Sequence, residues 1–320
     1  MPSPLPTFHD VLAAAARIAP HAHATPVLRS GALDAIAGCE LHFKAEPLQR
    51  TGAFKFRGAC NAVWALDDAT AARGVVTHSS GNHGAALALA ARTRGIACHV
   101  VVPEGANAAK RASIARYGAQ LHSCAPTIDA REATARAVQA DTGASLIHPY
   151  THPHVIAGQG TAALELLNAQ GPLDAVVAPV GGGGLLSGTA IAAATLAPAC
   201  RIIGAEPDGA ADTAASLSAG ERRIEFTPDT VCDGLRGTLG EPNFAVLRAY
   251  QVDVVTVPDA ETLAAMRLLW QCLKVLVEPS SAIALAAILR ERGRFAGQRV
   301  GVVLSGGNVD LDALPWERAA

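Results

Sequence analysis

A lysine stands between two phenylalanines in residues 51–58, which read Thr-Gly-Ala-Phe-Lys-Phe-Arg-Gly at the start of a predicted helix. Burial of Lys55 there would disfavour its ammonium form and lower its pKa, as an imine-forming lysine requires. An arbitrary lysine more often extends along the surface and keeps its charge in water. The lysine by itself therefore leaves both interpretations open, and its context has to decide between them.

Four consecutive glycines, Gly181, Gly182, Gly183 and Gly184, follow an apolar run at residues 175–180 and open a predicted helix. Their backbone amides can approach an anion closely, and the helix dipole adds to the attraction. The alternative is a tight turn between strand and helix, although such turns rarely need four glycines. Since neither G-x-G-x-x-G nor a G-K-[ST] ending is present, we expect a single phosphate group rather than a dinucleotide or a P-loop ligand.

A second polar loop, Thr-His-Ser-Ser-Gly-Asn-His-Gly at residues 77–84, also follows a predicted strand. Its hydroxyls, its amide and its backbone donors suit a carboxylate or a ring oxygen. A plain helix N-cap supplied by Ser80 or Asn82 explains the same residues about as well. The segment alone does not choose between a ligand site and a cap.

Short β-branched runs alternate with longer Ala-rich segments, and Gly or Pro marks most of the changes between them. Strands are predicted at residues 41–46, 74–78, 97–102, 145–148, 174–180, 201–206, 253–257 and 300–304. Helices are predicted at residues 84–94, 128–141, 155–169, 185–196, 261–273 and 281–292. This alternation predicts an α/β fold with parallel sheets covered on both faces, in which ligands bind at the carboxyl ends of the strands.

The composition narrows the class of ligand and the compartment. The 320 residues are 50% hydrophobic and 17% charged, with a net charge of -2 and no long run of like charges. A large core is therefore expected, and neither nucleic acid nor a membrane is expected as a partner. Seven scattered cysteines without C-x-x-C, and an N-terminus without a targeting pattern, predict free thiols in a cytoplasmic protein with a small ligand.

Four motifs together, at residues 51–58, 79–84, 180–184 and 305–308, resemble those of the fold-type II pyridoxal-phosphate enzymes, in the same order. The match is closest to the serine racemase and threonine dehydratase group. The resemblance implies a tryptophan synthase β-like fold, with two three-layer α/β domains and the cofactor in the cleft between them. It implies a large domain of residues 1–73 and 152–320 and a small mobile domain of residues 74–151, and a homodimer is expected.

The same resemblance implies roles for residues at the cofactor. Lys55 would form an imine with pyridoxal phosphate and act as the base at Cα, Phe54 would lie against the ring, and Asn82 would bond its 3-oxygen. The four glycines would hold the phosphate, and Ser305 would meet the pyridine nitrogen. A neutral hydroxyl at that nitrogen leaves the ring a weaker electron sink than a carboxylate would, which favours elimination over transamination.

The substrate site implied by the resemblance is a set of polar residues: Ser79, Ser80, Asn82, His83 and Arg131. Ser80 would be the second acid, opposite Lys55, that a racemase needs. Arg131 is also unusual on its own, since a helix at residues 128–141 puts it on one face with Ile128, Ala135 and Val138. Its guanidinium either extends to the surface or points into the cleft as an anion clamp.

Two positions depart from the pattern of the racemases. Gly237 stands where they have a serine near the substrate, and Tyr150 replaces a small polar residue near the cofactor. These departures leave the side chain of the substrate open.

A divalent-metal site is also implied, formed by Glu206, Asp212 and the carbonyl of Ala210. Two carboxylates and a carbonyl are hard donors that suit Mg²⁺, Mn²⁺ or Ca²⁺. From spacing alone these acids would be solvated loop residues. Only the resemblance favours an ion.

We therefore predict a dehydratase that converts a small β-hydroxy amino acid (serine, threonine or 3-hydroxyaspartate) to a 2-oxo acid and ammonia. A serine or aspartate-type racemase, with or without lyase activity, is the alternative. A β-replacement enzyme and a non-catalytic binding protein on the same fold remain as further alternatives.

Overall fold

Two β-sheets with helices packed on both faces organise the chain. The structure is a computed structural model that describes residues 5–106 and 108–316, and the side chains of these residues except at positions 108, 109 and 128. The strands are β1 Val27–Leu28, β2 Glu40–Ala45, β3 Val75–His78, β4 Cys98–Pro103, β5 Gln120–Cys124, β6 Ser145–Leu146, β7 Ala175–Pro179, β8 Arg201–Pro207, β9 Asp253–Val257 and β10 Arg299–Leu304.

The α-helices connect these strands in turn. They are α1 Phe8–Ile18, α2 Gly31–Ala37, α3 Lys55–Trp64, α4 Asp68–Ala71, α5 Asn82–Arg94, α6 Ala108–Arg116, α7 Ile128–Thr142, α8 Pro153–Gln170, α9 Gly184–Leu196, α10 Asp212–Ala219, α11 Glu241–Ala249, α12 Asp259–Leu268, α13 Pro279–Arg290 and α14 Arg292–Phe295. The predicted α/β alternation is confirmed.

The larger sheet has the strand order β1-β2-β10-β7-β8-β9 and is parallel except for the pair β1 and β2. The smaller sheet has the order β5-β4-β3-β6 and is parallel throughout. All four strands of the smaller sheet lie between residues 75 and 146, inside the predicted range 74–151. Crossover helices are needed to join parallel strands, and they cover both faces.

The apolar runs of the central strands are buried on both faces. In β10, Val300, Val302, Val303 and Leu304 are all inaccessible to solvent, because α13 packs on one side of the larger sheet and α8 and α9 on the other. Helix α3 packs against both α8 and α5. The helix that starts at Lys55 therefore lies where the two sheet layers meet.

Three elements differ from the predicted pattern. Strand β5 was not predicted, because its sequence Gln-Leu-His-Ser-Cys is polar and half-exposed at the edge of the smaller sheet. Strand β1 has only two residues and is defined by its pairing with β2. The predicted helix at 261–273 is α12 followed by a π-helical turn, Leu269–Leu273, which ends at Lys274 with φ 60°.

No helix within the described ranges is long and apolar enough to cross a membrane.

Candidate active site

Backbone pairing brings Phe54, Lys55 and Ser305 together at the carboxyl end of β10. Ala53 forms an isolated bridge with Gly306, and the Phe54 amide donates to the Ser305 carbonyl over 2.9 Å. Lys55 is the first residue of α3, directly after this bridge. Two segments some 250 residues apart in sequence therefore form one wall of a site.

The amine of Lys55 lies in a densely packed environment, although the residue as a whole is only half-buried. Its Nζ donates to the Pro149 carbonyl over 3.0 Å and lies 5.1 Å from the centre of the Phe54 ring. Burial lowers the pKa of Lys55 from 10.5 to about 8, and the nearby Glu278 carboxylate opposes this shift. The direction is the one predicted for an imine-forming lysine.

The glycine loop joins β7 to α9. Gly183 has a φ of +90° and serves as the N-cap of α9, whose first turn has no side-chain cap. A side chain at Gly182 would collide with the ring of Tyr150. Asn243 Nδ2 donates to the carbonyls of Gly182 and Tyr150, which fixes the loop. An uncapped helix start behind small residues suits an anion.

The capping interpretation of the second polar loop is wrong for Ser80 and Asn82. The N-cap of α5 is Gly81, and no side chain among the described residues caps this helix. Ser79 Oγ accepts a hydrogen bond of 3.4 Å from the Gly81 amide, while the half-buried Ser80 has no capping role. Asn82 is already helical, and its amide contacts Glu278 and Asn308 instead.

His83 is directed into the protein interior. It is only 2% exposed, and its Nε2 lies 3.4 Å from the Ile147 carbonyl oxygen. Burial lowers the pKa of His83 well below its usual value, so the ring is neutral. Its predicted contact with substrate remains a prediction.

Arg131 lies on the buried face of α7 that the sequence predicted. Ala135 is inaccessible to solvent and Val138 is 8% exposed, whereas the side chain of Ile128 lies outside the described residues. The Nε of Arg131 is buried and has no hydrogen-bond partner within the described part of the chain. A buried donor without a partner is costly, so the arrangement suits an anionic ligand.

A row of rings connects the region of Arg131 with the glycine loop. The pKa of His78 is lowered, chiefly by burial, and the positive charge of Arg131 lowers it further. The His78 ring lies 5.0 Å from that of His148, which lies 4.6 Å from that of Tyr150. Because Tyr150 packs on Gly182, this row of rings ends at the glycine loop.

Tyr150 and Gly237, the two departures from the racemase pattern, are neighbours. A Cβ at position 237 would lie 3.6 Å from Tyr150 Cε1 and 3.9 Å from the tyrosine hydroxyl. Burial raises the pKa of Tyr150 to about 12, so its hydroxyl keeps its proton and can donate. The large and the small residue together shape one part of the cleft.

The predicted metal ligands Glu206 and Asp212 are buried together. Glu206 accepts hydrogen bonds from the amides of Thr213 (3.0 Å) and Ala214 (2.9 Å). Asp212 is 4% exposed, and its Oδ2 accepts from the Leu239 amide over 2.7 Å. In the described ranges its buried Oδ1 has no hydrogen-bond partner.

Burial raises the pKa of Glu206 to about 7 and that of Asp212 to about 6. Ala210, whose carbonyl completes the predicted set, is buried beside them in the turn before α10. No group of three or more His, Cys, Asp or Glu side chains that could hold a metal occurs among the described residues. Two carboxylates with an unpartnered buried oxygen nevertheless fit a hard divalent cation.

Sequence reasoning missed two residues of the site, Glu278 and Asn308. Glu278 is 5% exposed and precedes α13, in a Val-Glu-Pro-Ser-Ser segment. In the sequence, Glu278 stands alone between the apolar Val277 and Pro279, which opens a helix. This pattern could have indicated a buried carboxylate. Asn308 ends the motif at 305–308, but only its contacts give it a role.

The residues brought together fit a small aldehyde that carries a phosphate. Lys55 supplies an amine with a lowered pKa, and the glycine loop supplies an uncapped helix N-terminus. Phe54 offers an aromatic face, and Ser305 is buried next to it with 3% exposure. These features match the requirements of pyridoxal phosphate.

The comparisons with known proteins agree with this chemistry. A family model described as "Pyridoxal-phosphate dependent enzyme" matches residues 18–306. The beta-hydroxyaspartate dehydratase of Paracoccus denitrificans is 50% identical over 312 residues, covering 98% of this chain and 99% of the relative. The serine racemase of Arabidopsis thaliana is 50% identical over 306 residues, covering 94% of this chain and 92% of the relative.

Among solved structures, maize serine racemase superimposes with a TM-score of 0.95 at 44% sequence identity. The match covers 99% of this chain and 97% of the maize chain. The fold is therefore similar over the whole length of both chains.

Proposed function

The chain belongs to the pyridoxal-phosphate-dependent enzymes, and from this premise we propose that it is a dehydratase acting on 3-hydroxyaspartate. It has the type II fold of that family, as predicted, and is an enzyme of the ammonia-lyase and amino-acid racemase group. Its reaction removes the α-proton and the β-hydroxyl of a small hydroxy amino acid. The unsaturated product then hydrolyses to a 2-oxo acid and ammonia.

The choice of substrate rests on the Nε of Arg131, which is buried and has no hydrogen-bond partner among the residues that the structure describes. Serine and threonine have no second carboxylate, whereas 3-hydroxyaspartate has one at its β-carbon. Arg131 would accept that carboxylate in a charge-assisted pair, which satisfies the guanidinium. The similarity to a beta-hydroxyaspartate dehydratase supports the same choice.

Lys55 is the base in this proposal. Bound pyridoxal phosphate supplies the electron sink that acidifies the α-proton of an attached amino acid. Lys55 Nζ takes that proton, and a pKa of about 8 leaves part of the amine neutral near pH 7. In the structure, the Pro149 carbonyl accepts a hydrogen bond from this amine and so orients it.

For the remaining cofactor contacts we propose the roles that the resemblance implies. Phe54 would pack on the ring, Ser305 would meet its nitrogen and Asn82 would bond its 3-oxygen. The amides of Gly181, Gly182, Gly183 and Gly184 would bind the phosphate. The geometry of the glycine loop and the uncapped start of α9 support this assignment.

Racemisation is the second candidate function, and Ser80 is the residue that favours it. Since Ser80 does not cap α5, its hydroxyl is available for another role. A proton donor opposite Lys55 would let the α-carbon be protonated from either side. Ser79 and His83 would complete the contacts to the substrate.

We further propose that residues 74–151 form the small mobile domain, which closes on residues 1–73 and 152–320 to exclude water. A divalent cation (Mg²⁺, Mn²⁺ or Ca²⁺) would be held by Glu206, Asp212 and the Ala210 carbonyl. The Oδ1 of Asp212, which has no hydrogen-bond partner among the described residues, supports this site. A cytoplasmic homodimer is the expected form. Light scattering of the purified protein would test the dimer.

Ammonia release from both 3-hydroxyaspartates, L-serine, D-serine and L-threonine tests the function. The expected result is the highest kcat/KM on one 3-hydroxyaspartate isomer. Equal or greater kcat/KM on L-threonine would contradict the proposed substrate. Sulfide-dependent product from an activated serine would indicate β-replacement, and a protein with no cofactor absorbance would indicate a non-catalytic binder.

A further inference from the structure

The side-chain amide of Asn82 is held at both ends by residues from the far end of the chain. Its Nδ2 donates to Glu278 Oε1 over 2.9 Å, and its Oδ1 accepts from Asn308 Nδ2 over 2.9 Å. Asn308 Nδ2 also donates to the Thr51 carbonyl over 2.8 Å. Asn82 opens a helix of the smaller sheet layer, whereas its two partners, Glu278 and Asn308, belong to segments around the larger sheet.

The hydrogen bonds from Thr51 through Asn308 and Asn82 to Glu278 permit only one orientation of each side-chain amide. The Thr51 carbonyl can only accept, so the NH₂ group of Asn308 must face it and uses its second hydrogen on Asn82. The carbonyl end of Asn82 must therefore face Asn308. Its NH₂ end then faces Glu278 Oε1, which accepts, and one N–H of Asn82 is left without a partner among the described residues.

Glu278 is itself fixed in place. It precedes α13 but does not cap that helix with its side chain, and its amide donates to the Gly306 carbonyl over 3.0 Å. Burial raises the pKa of Glu278 to about 7. The positive charges of Lys110 and Lys55 oppose this rise, as do hydrogen bonds from the Asn82 side chain and from the backbone amide of Asn308. About half of Glu278 is therefore ionised at pH 7, and both its acid and its carboxylate form have an oxygen that can accept from the Asn82 amide.

We propose that Glu278 and Asn308 are positioning residues that orient the Asn82 amide, so that its remaining N–H is available to the ring oxygen of the cofactor. This inference rests on the proposed contact between Asn82 and that oxygen. The Asn82 amide could turn by 180° and direct its oxygen, an acceptor, at the ring oxygen. Its contacts with Glu278 and Asn308 explain why it directs an N–H donor there instead. The inference also gives a role to a buried carboxylate that the reaction itself does not use.

Near-isosteric variants test the orientation without changing the shape of the site. Asn308→Asp puts acceptors against the Thr51 carbonyl and the Asn82 Oδ1, and Glu278→Gln removes the charge and the fixed acceptor. We expect apoprotein of either variant to bind pyridoxal phosphate about tenfold more weakly, the loss of roughly one hydrogen bond. The absorption spectrum of the bound cofactor should also shift, since its ring oxygen loses a donor.

A double-mutant cycle that includes Asn82→Ala tests the positioning role separately from the proposed contact of Asn82 with the cofactor. If Asn82→Ala leaves cofactor affinity unchanged, the assigned contact of Asn82 is wrong. If Asn82→Ala weakens binding but Glu278→Gln and Asn308→Asp do not, only the positioning role is wrong. The expected result is that Glu278→Gln has no further effect in an Asn82→Ala background, because both changes remove the same bond.

Glu165→Gln is the matched control for a carboxylate with a purely structural role. Glu165 accepts from Lys44 and Arg57, each over 2.6 Å, away from the proposed cofactor contacts. The Glu165→Gln variant should have a lower thermal midpoint, with the same cofactor dissociation constant and the same absorption spectrum as the wild type. If Glu278→Gln behaves in the same way as this control, Glu278 is structural and the proposal is overturned.

Discussion

The amine of Lys55 donates a 3.0 Å hydrogen bond to the carbonyl oxygen of Pro149. Pro149 lies between β6 and α8, where the chain passes from the smaller sheet to the larger one. The residue proposed as both cofactor anchor and base is thus tied to the connection between the two layers. A carbonyl accepts from a neutral or a charged amine, so this contact does not force Lys55 to stay protonated.

Capture of pyridoxal phosphate by the apoprotein should depend on pH around the pKa of Lys55. Only the neutral amine forms an imine, and a pKa of about 8 leaves about a tenth of it neutral at pH 7. The capture rate, followed by absorbance, should rise with pH and level off above pH 8. A rate that keeps rising towards pH 10.5 would show that Lys55 titrates as an ordinary lysine.

Lys55→Met should lose the borohydride-reducible chromophore and yet give a more stable apoprotein near pH 7. The folded pKa lies below the unfolded value of 10.5, so the buried charge costs stability below pH 8. That cost disappears as pH rises from about 8 to 10.5. Thermal midpoints of both apoproteins at pH 7 and pH 10 would check this, and the gap should be smaller at pH 10.

Arg131→Ala should reduce turnover of 3-hydroxyaspartate more than turnover of threonine. Losing a charge-assisted pair with the β-carboxylate costs on the order of 2 to 4 kcal/mol, or roughly 30- to 1,000-fold in kcat/KM. Arg131→Lys keeps the charge but not the planar guanidinium, so its kcat/KM on 3-hydroxyaspartate should lie between those of the wild type and Arg131→Ala. Equal losses on both substrates would identify a structural arginine.

Ser80→Ala should abolish racemisation and α-proton exchange of D-serine, while elimination from an L-substrate survives through Lys55. Because α5 has no side-chain cap, the thermal midpoint should stay close to that of the wild type. Solvent deuterium exchange, measured by NMR for each enantiomer, provides the readout. Racemisation that persists in the well-folded variant would leave a one-base lyase.

Removal of divalent metal with EDTA should lower the thermal midpoint, and Mg²⁺, Mn²⁺ or Ca²⁺ should restore it. An ion between Glu206 and Asp212 binds only the folded chain and neutralises two buried carboxylates. Asp212→Asn keeps the acceptor for the Leu239 amide but lacks the charge, so its midpoint should respond little to added metal. A full response in that variant would place the ion elsewhere.

Most strands and helices were predictable because each carries its own pattern. Strand β9 was predicted with its observed ends, and α9 within one residue at its start, since an apolar run or a glycine marks those boundaries. Strand β5 was missed because its polar edge sequence becomes a strand only by pairing with β4. Local composition defines elements that bury their own apolar face, but not those that depend on a neighbour.

The sequence by itself determined the chemistry of the site: a lysine between phenylalanines, four glycines before a helix and a serine after the last strand. These residue types are recognisable without contacts, because their chemistry belongs to the side chain or to a short loop. Only the tertiary structure decided that Ser80 is not a cap and that Arg131 has a buried Nε without a partner in the described part of the chain. It also decided that Asn82 is held between Glu278 and Asn308, because hydrogen bonds across some 200 residues leave no pattern in the local sequence.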